Sequence, residues 1–429
     1  MCATLTVQFK NEMQQNNHQL NRVVITGMGA LCAIGNTAAE TWQALISAKQ
    51  GADVITLFDT TNSEVKIACE VKGFDPVAHF GGKEARRLDR SVQLALAATR
   101  EAVAHSGLVI TPENSHDIGV ITGTGIGGVK TIEDEQTNLL ARGAKRVSPF
   151  LVPMMMPNAA AGNISMMFGI RGVNFNVTTA CASATNAIGE AFEMLRAGRA
   201  SAIVCNGNEA PITPLSTSGF NNMTALSKYN DDPAHASRPF DKTRNGFVTG
   251  EAGGTVILET LAHARARDAH ILAEVIGYST TADAHHITAP DFNGAVATMT
   301  RALAQAGMLP AEIDYICAHG TSTPLNDLSE TRAIKIVFGE HAMHPNISSI
   351  KSMIGHTLGA CGAINALACV NALQTGIIPP TVNYTTQDPE CDLNYTPNTA
   401  VHRPVKTAMS NSFGFGGHNA TLVFKAFVE

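Results

Sequence analysis

A single cysteine stands where a short apolar strand is followed by a helix. Residues 173–177 are predicted as the strand, and from Ala184 onwards apolar residues recur at helical spacing. Cys181 should therefore lie at the first turn of the helix. Unpaired N–H groups and the helix dipole there can lower the pKa of a thiol and hold an oxyanion. Most free cysteines are only small core residues, so a structural role for Cys181 stays open.

Three polar, glycine-containing loops in the second half of the chain each follow an apolar strand. They begin at His319, Lys351 and Asn411, and the second one also contains His356. Active-site loops lie at the carboxyl ends of strands in α/β sheets. A thiol with two histidines favours acyl transfer. Papain-like hydrolysis would need only one of those histidines and would leave Lys351 unexplained.

Two glycine clusters resemble turns that hold a dinucleotide. Residues 123–128 contain a GxGxxG pattern after a strand, and residues 27–29 also follow a strand. A dinucleotide site also needs an acidic residue about twenty positions later, and neither cluster has one. We therefore interpret both clusters as turns where backbones pack closely. A nicotinamide-dependent oxidoreductase remains the alternative from another class of enzyme.

The composition indicates a large globular protein. Of 429 residues, 45% are hydrophobic and 15% charged, and the net charge of −6 without a basic run argues against nucleic acid. Nine scattered cysteines indicate reduced thiols and a cytoplasmic location. Residues 1–20 are polar and are predicted to be a flexible N-terminal extension. No apolar run is expected to be long enough to span a membrane.

The order of predicted elements repeats along the chain. A helix over residues 84–106 precedes a strand over 117–121, and a helix over 294–306 likewise precedes a strand over 313–318. Residues 148–157 are predicted as a loop that could line an apolar site. Alternating strands and helices favour mainly parallel, covered sheets. We therefore predict two similar halves, residues 21–270 with the cysteine and residues 271–429 with the histidines.

Four motifs in this order resemble the β-ketoacyl-[acyl carrier protein] synthases, most closely the type II elongating ketosynthases. The motifs are Thr-Ala-Cys-Ala-Ser around Cys181, His-Gly-Thr-Ser-Thr-Pro from His319, Lys-Ser-Met-Ile-Gly-His from Lys351, and Asn-Ser-Phe-Gly-Phe-Gly-Gly from Asn411. The resemblance covers residues 21–427. It implies an α/β class fold of the thiolase-like, five-layer α/β/α/β/α type, built from two duplicated halves.

The resemblance also implies roles for individual residues. Cys181 would carry the acyl chain, His319 and His356 would hold the malonyl thioester during decarboxylation, and Lys351 would act electrostatically on this pair. The backbone N–H groups of Cys181 and Phe415 would form the oxyanion hole. The remaining expected positions are the gate glycines Gly414 and Gly416, the phosphopantetheine-binding Thr321 and Thr323, the tunnel residues Ile126 and Phe220, and the substrate-binding Phe413.

The same resemblance implies partners and cofactors. An acyl carrier protein brings its own phosphopantetheine arm, so we expect neither a resident cofactor nor a metal. A homodimer is expected, or a heterodimer with a chain-length partner if the pathway makes polyketides or aryl polyenes. A non-catalytic partner subunit would lack the cysteine, so Cys181 argues against that class.

Two positions depart from the family pattern. Asn365 replaces a glutamate that belongs to a buried polar cluster with Asp327 and Glu330. His285 stands near the expected substrate entrance, where an aromatic residue is common. Because an amide carries no charge, cation binding at Asn365 is not expected.

Overall fold

The computed structural model describes residues 20–429, so nearly all of the predicted N-terminal extension lies outside the described residues. The strands are β1 (Val23–Leu31), β2 (Asp53–Val54), β3 (Ile67–Ala68), β4 (Ile118–Gly123), β5 (Asn174–Val177), β6 (Ala202–Glu209), β7 (Ala252–Thr260), β8 (Ala273–Ala282), β9 (Tyr315–Cys317), β10 (Asn346–Ser348), β11 (Ile377–Ile378), β12 (Val401–His402), β13 (Thr407–Gly414) and β14 (His418–Lys425). The helices are α1 (Ala38–Ile46), α2 (Pro76–Ala85), α3 (Arg90–Ser106), α4 (Val129–Arg142), α5 (Leu151–Met155), α6 (Ala159–Phe168), α7 (Ser183–Arg196), α8 (Pro214–Asn222), α9 (Leu261–Ala266), α10 (Phe292–Ala306), α11 (Pro324–Phe338), α12 (Lys351–Ile354) and α13 (Cys361–Thr375).

Two sets of five strands have the same spatial order. The first set is β5-β4-β6-β7-β1 and the second is β10-β9-β13-β14-β8, and they join at β1 and β8 into one 10-stranded sheet. The join consists of three residue pairs between residues 23–25 and 273–275. If the five strands of each half are numbered in chain order, their order across the sheet is third, second, fourth, fifth, first in both halves. The repeated order is the structural counterpart of the repeat in the sequence.

The sheet is mixed, so the expectation of mainly parallel strands was wrong. The pairs β4–β5, β4–β6, β9–β10 and β9–β13 are parallel. The pairs β6–β7, β7–β1, β1–β8, β8–β14 and β14–β13 are antiparallel. The last strand of each half runs back beside its neighbours. Connections of this kind cannot be identified from alternating helices and strands alone.

Helices cover the strands in layers around a shared centre. Helices α7 and α13 pack against each other, and their apolar residues share one core with both sets of strands. A second core lies between the first set of strands and helices α3 and α6. A third core lies between the second set and helices α10 and α11. This is the five-layer α/β/α/β/α arrangement that the sequence predicts.

Two predicted elements have different bounds in the structure. The helix predicted over residues 84–106 starts only at Arg90, where the side chain of Asp89 accepts a hydrogen bond from Ser91 N–H and caps it. The predicted loop over residues 148–157 contains the short helix α5. Both differences are decided by local capping and packing rather than by apolar periodicity.

One segment contradicts the expectation that no apolar run reaches the length of a membrane span. Residues 358–375 include 18 consecutive helical residues apolar enough by length and composition, and 83% of them are buried inside the protein. The segment ends in α13, the helix at the centre of the molecule. A core helix enclosed on all sides meets the same criteria as a membrane span.

Candidate active site

The nucleophile candidate lies on a tight turn immediately before α7. Ala180–Ala182 form a short 3-10 turn, and Ala180 has a positive φ of 49°. The Ser183 hydroxyl accepts from Thr179 N–H at 2.9 Å and donates to Ala180 O at 2.7 Å. The turn therefore holds Cys181 at the amino end of a buried helix, as the sequence predicts.

The histidines come from two loops of the second half. His319 follows β9, and its backbone N–H donates to Glu330 Oε1 at 2.9 Å. His356 follows α12, and its backbone bonds to Val248 O at 2.7 Å and to Gly250 N–H at 2.9 Å. A segment of the first half therefore fixes the backbone of a histidine from the second half.

The three side chains meet in one place. The Cys181 sulfur and one ring nitrogen from each of His319 and His356 all lie within 4.8 Å of one another. The two imidazole rings are 5.4 Å apart between centroids and nearly perpendicular. All three residues line a cavity of about 520 Å³, which also reaches Thr321 and Thr323. A cavity of this size can hold a small acyl or malonyl group with its thioester.

Burial controls the protonation of the three groups. It raises the pKa of Cys181 to about 12, although Lys351 and the Phe415 N–H act in the opposite direction. Burial and the nearby Lys351 charge hold the pKa values of His319 and His356 well below the usual range. The expectation of a lowered thiol pKa was therefore wrong for the ligand-free site, because the desolvation of the thiolate dominates. The resting site combines a neutral thiol with two neutral imidazoles.

Lys351 sits behind the cavity rather than in its lining. It is buried at the first position of α12, and its Nζ has no hydrogen-bond partner within residues 20–429. Its charge lowers the pKa values of Cys181, His319 and His356. An uncompensated buried charge is expensive, and such a group is commonly retained for function.

Two buried carboxylates shape the loop that carries His319. Glu330 also accepts from Gly320 N–H at 2.8 Å, and Asp327 accepts from Thr321 N–H at 2.9 Å. Burial raises the pKa of Glu330 to about 7. Asn365 is buried, and its Nδ2 has no hydrogen-bond partner within the described chain. These carboxylates are engaged by backbone donors, which leaves less capacity for a cation.

Comparison with known protein families identifies the chain. Residues 20–264 match the family described as beta-ketoacyl synthase, N-terminal domain. Residues 272–385 match the corresponding C-terminal domain. The chain belongs to the β-ketoacyl synthase family. It is therefore an enzyme of the acyltransferase class.

Curated relatives extend over nearly the whole chain. The protein named 3-oxoacyl-[acyl-carrier-protein] synthase 2 of Synechocystis sp. is 49% identical over 413 residues, which cover 96% of this chain and 99% of the relative. The protein of the same name from Staphylococcus aureus (strain COL) is 48% identical and covers 95% of this chain and 99% of its own length.

Solved structures of ketosynthases share the fold. The ishigamide ketosynthase/chain length factor has a TM-score of 0.89 and 35% identity, covering 95% of this chain and 100% of its own. The ketosynthase of the AntDE:AntF complex, a type II polyketide synthase with its acyl-carrier protein, has a TM-score of 0.86 and 31% identity, covering 96% and 100%.

The region that the sequence predicts as a gate, called the gate turn below, is the turn between β13 and β14. Gly416 has a φ of 83° and donates its N–H to Ile287 O at 2.7 Å. A Cβ at Gly414 would lie 2.9 Å from Thr179 O and 3.1 Å from Cys181 N. A valine at Gly414 would therefore displace the Cys181 turn. A substitution at Gly414 would disturb the fold as well as any gate, so Phe415 is the better residue to change.

The expected tunnel residues lie behind the cavity and not in its lining. Ile126 and Phe220 pack in an apolar cluster that contains Cys181, Phe247 and Leu358. The rings of Phe220 and Phe247 meet edge to face at 5.5 Å. Phe413 does line the cavity and contacts the His319 ring edge to face at 5.7 Å. The apolar region next to Cys181 therefore includes Ile126 and Phe220.

Sequence reasoning missed part of the cavity wall. Residues 286–290 line the mouth of the cavity, whereas only His285 had been singled out nearby. Phe247 and Leu358 also line it. Phe247 and residues 286–290 lie in irregular segments, and Leu358 lies in a short 3-10 turn, so none of them belongs to a periodic pattern. The hydrogen bond from Gly416 N–H to Ile287 O shows that the mouth segment contacts the gate turn, which no sequence spacing indicates.

Proposed function

We propose that this β-ketoacyl synthase extends an acyl chain in fatty-acid synthesis by decarboxylative Claisen condensation. In the first half-reaction the Cys181 sulfur attacks the thioester of an acyl carrier protein, the carrier thiol leaves, and the acyl chain stays on Cys181. In the second, malonyl carrier protein loses carbon dioxide and its enolate carbon attacks the acyl-Cys carbonyl. That step releases the Cys181 thiolate, which takes up one proton, and the 3-oxoacyl carrier protein.

The observation that carries this proposal is the meeting of one thiol and two neutral imidazoles at one cavity. The buried thiol needs a proton acceptor when it attacks, and an uncharged imidazole within 4.8 Å supplies one. Decarboxylation needs hydrogen-bond donors at the malonyl thioester oxygen, and the N–H groups of His319 and His356 supply them. Backbone N–H groups of Cys181 and Phe415 serve the other carbonyl.

Separating the two half-reactions tests this division of roles. Cys181→Ala should abolish the acyl-enzyme and condensation while leaving measurable carbon dioxide release from malonyl carrier protein. His319→Ala and His356→Ala should retain partial acylation and lose about 100-fold in decarboxylation, as when an oxyanion donor is removed. Labelled carbon dioxide and intact-protein mass are measured in one incubation. Normal decarboxylation by His356→Ala, together with its loss in Cys181→Ala, would refute the assignment.

An acyl carrier protein is the proposed partner. Thr321 and Thr323, whose hydroxyls lie 2.8 Å apart, line the same cavity as His319, which supports a role in binding the phosphopantetheine arm. The condensation involves no net oxidation or reduction, so we propose that the phosphopantetheine arm of the carrier protein is the only prosthetic group required. The eight cysteines of the described residues are free and buried, which supports a reducing, cytoplasmic location.

We also propose a homodimer. Strand β5 forms one edge of the sheet and pairs only with β4 within the described residues. Met166, on helix α6 that packs against β5, is 75% exposed, and Leu140 at the end of α4 is 78% exposed. An open strand edge beside an exposed apolar surface is typical of a protein interface. Sedimentation of the purified protein should give a dimer, and aspartates at Leu140 and Met166 should shift it to monomer.

A polyketide ketosynthase with a chain-length partner is the second candidate. The similarity to the ishigamide and AntDE structures favours it, whereas the higher identity to the proteins named 3-oxoacyl-[acyl-carrier-protein] synthase 2 favours the first proposal. Incubation with a panel of acyl carrier proteins, followed by intact-protein mass, distinguishes them. Saturated acyl groups on Cys181 of the isolated protein support fatty-acid synthesis. Acylation only in the presence of a second ketosynthase-like subunit would support the polyketide pathway.

A further inference from the structure

A second thiol contacts the ring of His356 on the side that the proposed mechanism does not use. The Cys361 sulfur lies 3.1 Å from His356 Nδ1. The Thr357 hydroxyl donates to the same sulfur at 3.4 Å. Cys361 is the first residue of α13 and is buried. The contact therefore links a core helix to a candidate active-site histidine.

The direction of this hydrogen bond follows from a third contact. The backbone N–H of Leu358 points to His356 Nδ1 at 3.3 Å. A backbone N–H can only donate, so Nδ1 must accept, and the neutral ring carries its proton on Nε2. Since Nδ1 accepts, the Cys361 sulfur must donate its S–H to it. Burial raises the pKa of Cys361 and therefore keeps the proton on sulfur, which agrees with this direction.

We propose that Cys361 is a positioning residue for His356, holding the imidazole as the Nε2–H tautomer and directing that donor into the cavity. The chain Thr357 O–H, Cys361 S–H, His356 Nδ1 polarises the ring, so that Nε2–H becomes a stronger donor to the enolate oxygen. This inference rests on the proposed decarboxylation. It adds Cys361, which lies outside the four motifs, to the residues that support decarboxylation.

The contrast with His319 supports the proposal. His319 Nδ1 has no hydrogen-bond partner within residues 20–429, so its tautomer is not fixed by the protein. His356 has two donors at the same atom. Only one of the two imidazoles is thus locked as a donor into the cavity, while the other can also accept a proton.

Cys361→Ala and Cys361→Ser test the role. The alanine removes the donor and should lower kcat for decarboxylation about fivefold, the effect of one neutral hydrogen bond. KM for malonyl carrier protein and the acylation rate of Cys181 should stay within about twofold. Serine restores a donor and should recover most of the rate. The matched control is Cys369→Ala. Cys369 is a buried thiol later on the same helix, and its sulfur contacts Met409 O.

The proposal is overturned if Cys361→Ala decarboxylates like the wild type, if serine fails to restore the rate, or if Cys369→Ala loses as much. A wild type that does not decarboxylate would instead refute the proposed function. In that case the hydrogen bond between Cys361 and His356 can still be tested by NMR, which needs no turnover. In protein labelled with ¹⁵N-histidine, the Nδ1 resonance of His356 should move towards the unbonded position in Cys361→Ala and return in Cys361→Ser. An unchanged resonance would refute the hydrogen bond itself.

Discussion

The loop after β4 and the loop after β9 occupy equivalent places in the two halves, yet only one carries reactive side chains. Each is held by buried carboxylates. Glu209 accepts from Gly125 N–H at 2.6 Å and Ile126 N–H at 3.1 Å, while Glu330 and Asp327 do the same for the β9 loop. The β9 loop presents His319 to the cavity. The β4 loop contributes no residue to the lining of the cavity within the described chain.

Close packing explains the difference. Gly123 is the last residue of β4, and a Cβ there would lie 2.5 Å from the backbone of Ser183, so the end of this strand must be small for α7 to approach. That approach places Cys181 beside the histidines of the other half. The first half therefore contributes a thiol and a clear path to it, and the second half contributes the donors and the charge. The duplicated halves are alike in topology and complementary in chemistry.

The largest expected effect concerns the thiol of the first half and the charge that the second half places near it. With a pKa of about 12 raised by burial, Cys181 gains thiolate steadily as pH rises. Its alkylation by iodoacetamide should accelerate about tenfold per unit between pH 7 and 10. Lys351→Met should slow it at every pH, because Lys351 lowers that pKa.

Peptide mapping after labelling with limiting iodoacetamide identifies which cysteine reacts first. Cys181 lines the cavity and is 7% exposed, whereas Cys205 and Cys317 are fully buried and Cys361 nearly so. Cys181 should be labelled first. A rate that levels off below pH 9, or first labelling at one of the other three, would contradict this account of the thiol.

The gate turn is the next contact between the two halves that a substitution can test. Phe415 belongs to the second half, and its backbone N–H favours the thiolate form of Cys181 in the first half. Phe415→Ala should lower condensation about tenfold, within the range seen when lids and loops are altered, while decarboxylation continues. The ratio of carbon dioxide to condensed product should then rise above one. A ratio that stays at one would remove Phe415 from the control of substrate order.

A stability measurement tests the structural role of the small residue at the end of β4. Gly123→Ala should lower the free energy of unfolding by about 2 kcal/mol, because its Cβ meets the backbone of α7. Gly219→Ala is the control, since nothing lies within 4 Å of a Cβ there and the position is helical. It should be neutral or slightly stabilising. Equal midpoints in urea for both variants would show that the end of β4 is not restricted by packing.

The smallest expected effect is the response to chelators. Asn365 supplies no charge, Glu330 is partly protonated near neutral pH because burial raises its pKa to about 7, and both carboxylates already accept backbone hydrogen bonds. Activity and the thermal midpoint should be unchanged by EDTA or added divalent ions. A large loss on chelation would show that Asp327 and Glu330 hold a metal without help from Asn365.

Residue types and their local spacing predicted many features of the fold and of the candidate site. Four motifs with characteristic residue types predicted the family, the five-layer fold and the groups that meet at the cavity. The strand–turn–helix pattern around Cys181 was readable because its periodicity changes within a few residues. The roles of Cys181, His319, Lys351 and His356 remain predictions until the variants are measured.

Other features depend on contacts between distant segments. Mixed strand directions, the hydrogen bond between the mouth segment and the gate turn, and the contact of Cys361 with His356 have no local signature. The thiol pKa shows the reason most directly. A helix N-terminus is visible in the sequence and favours the thiolate, but the desolvation that outweighs it comes from residues packed around Cys181 from both halves. The sequence by itself determined which groups could react, and the tertiary structure decided their protonation and their partners, because burial is a property of the assembled fold.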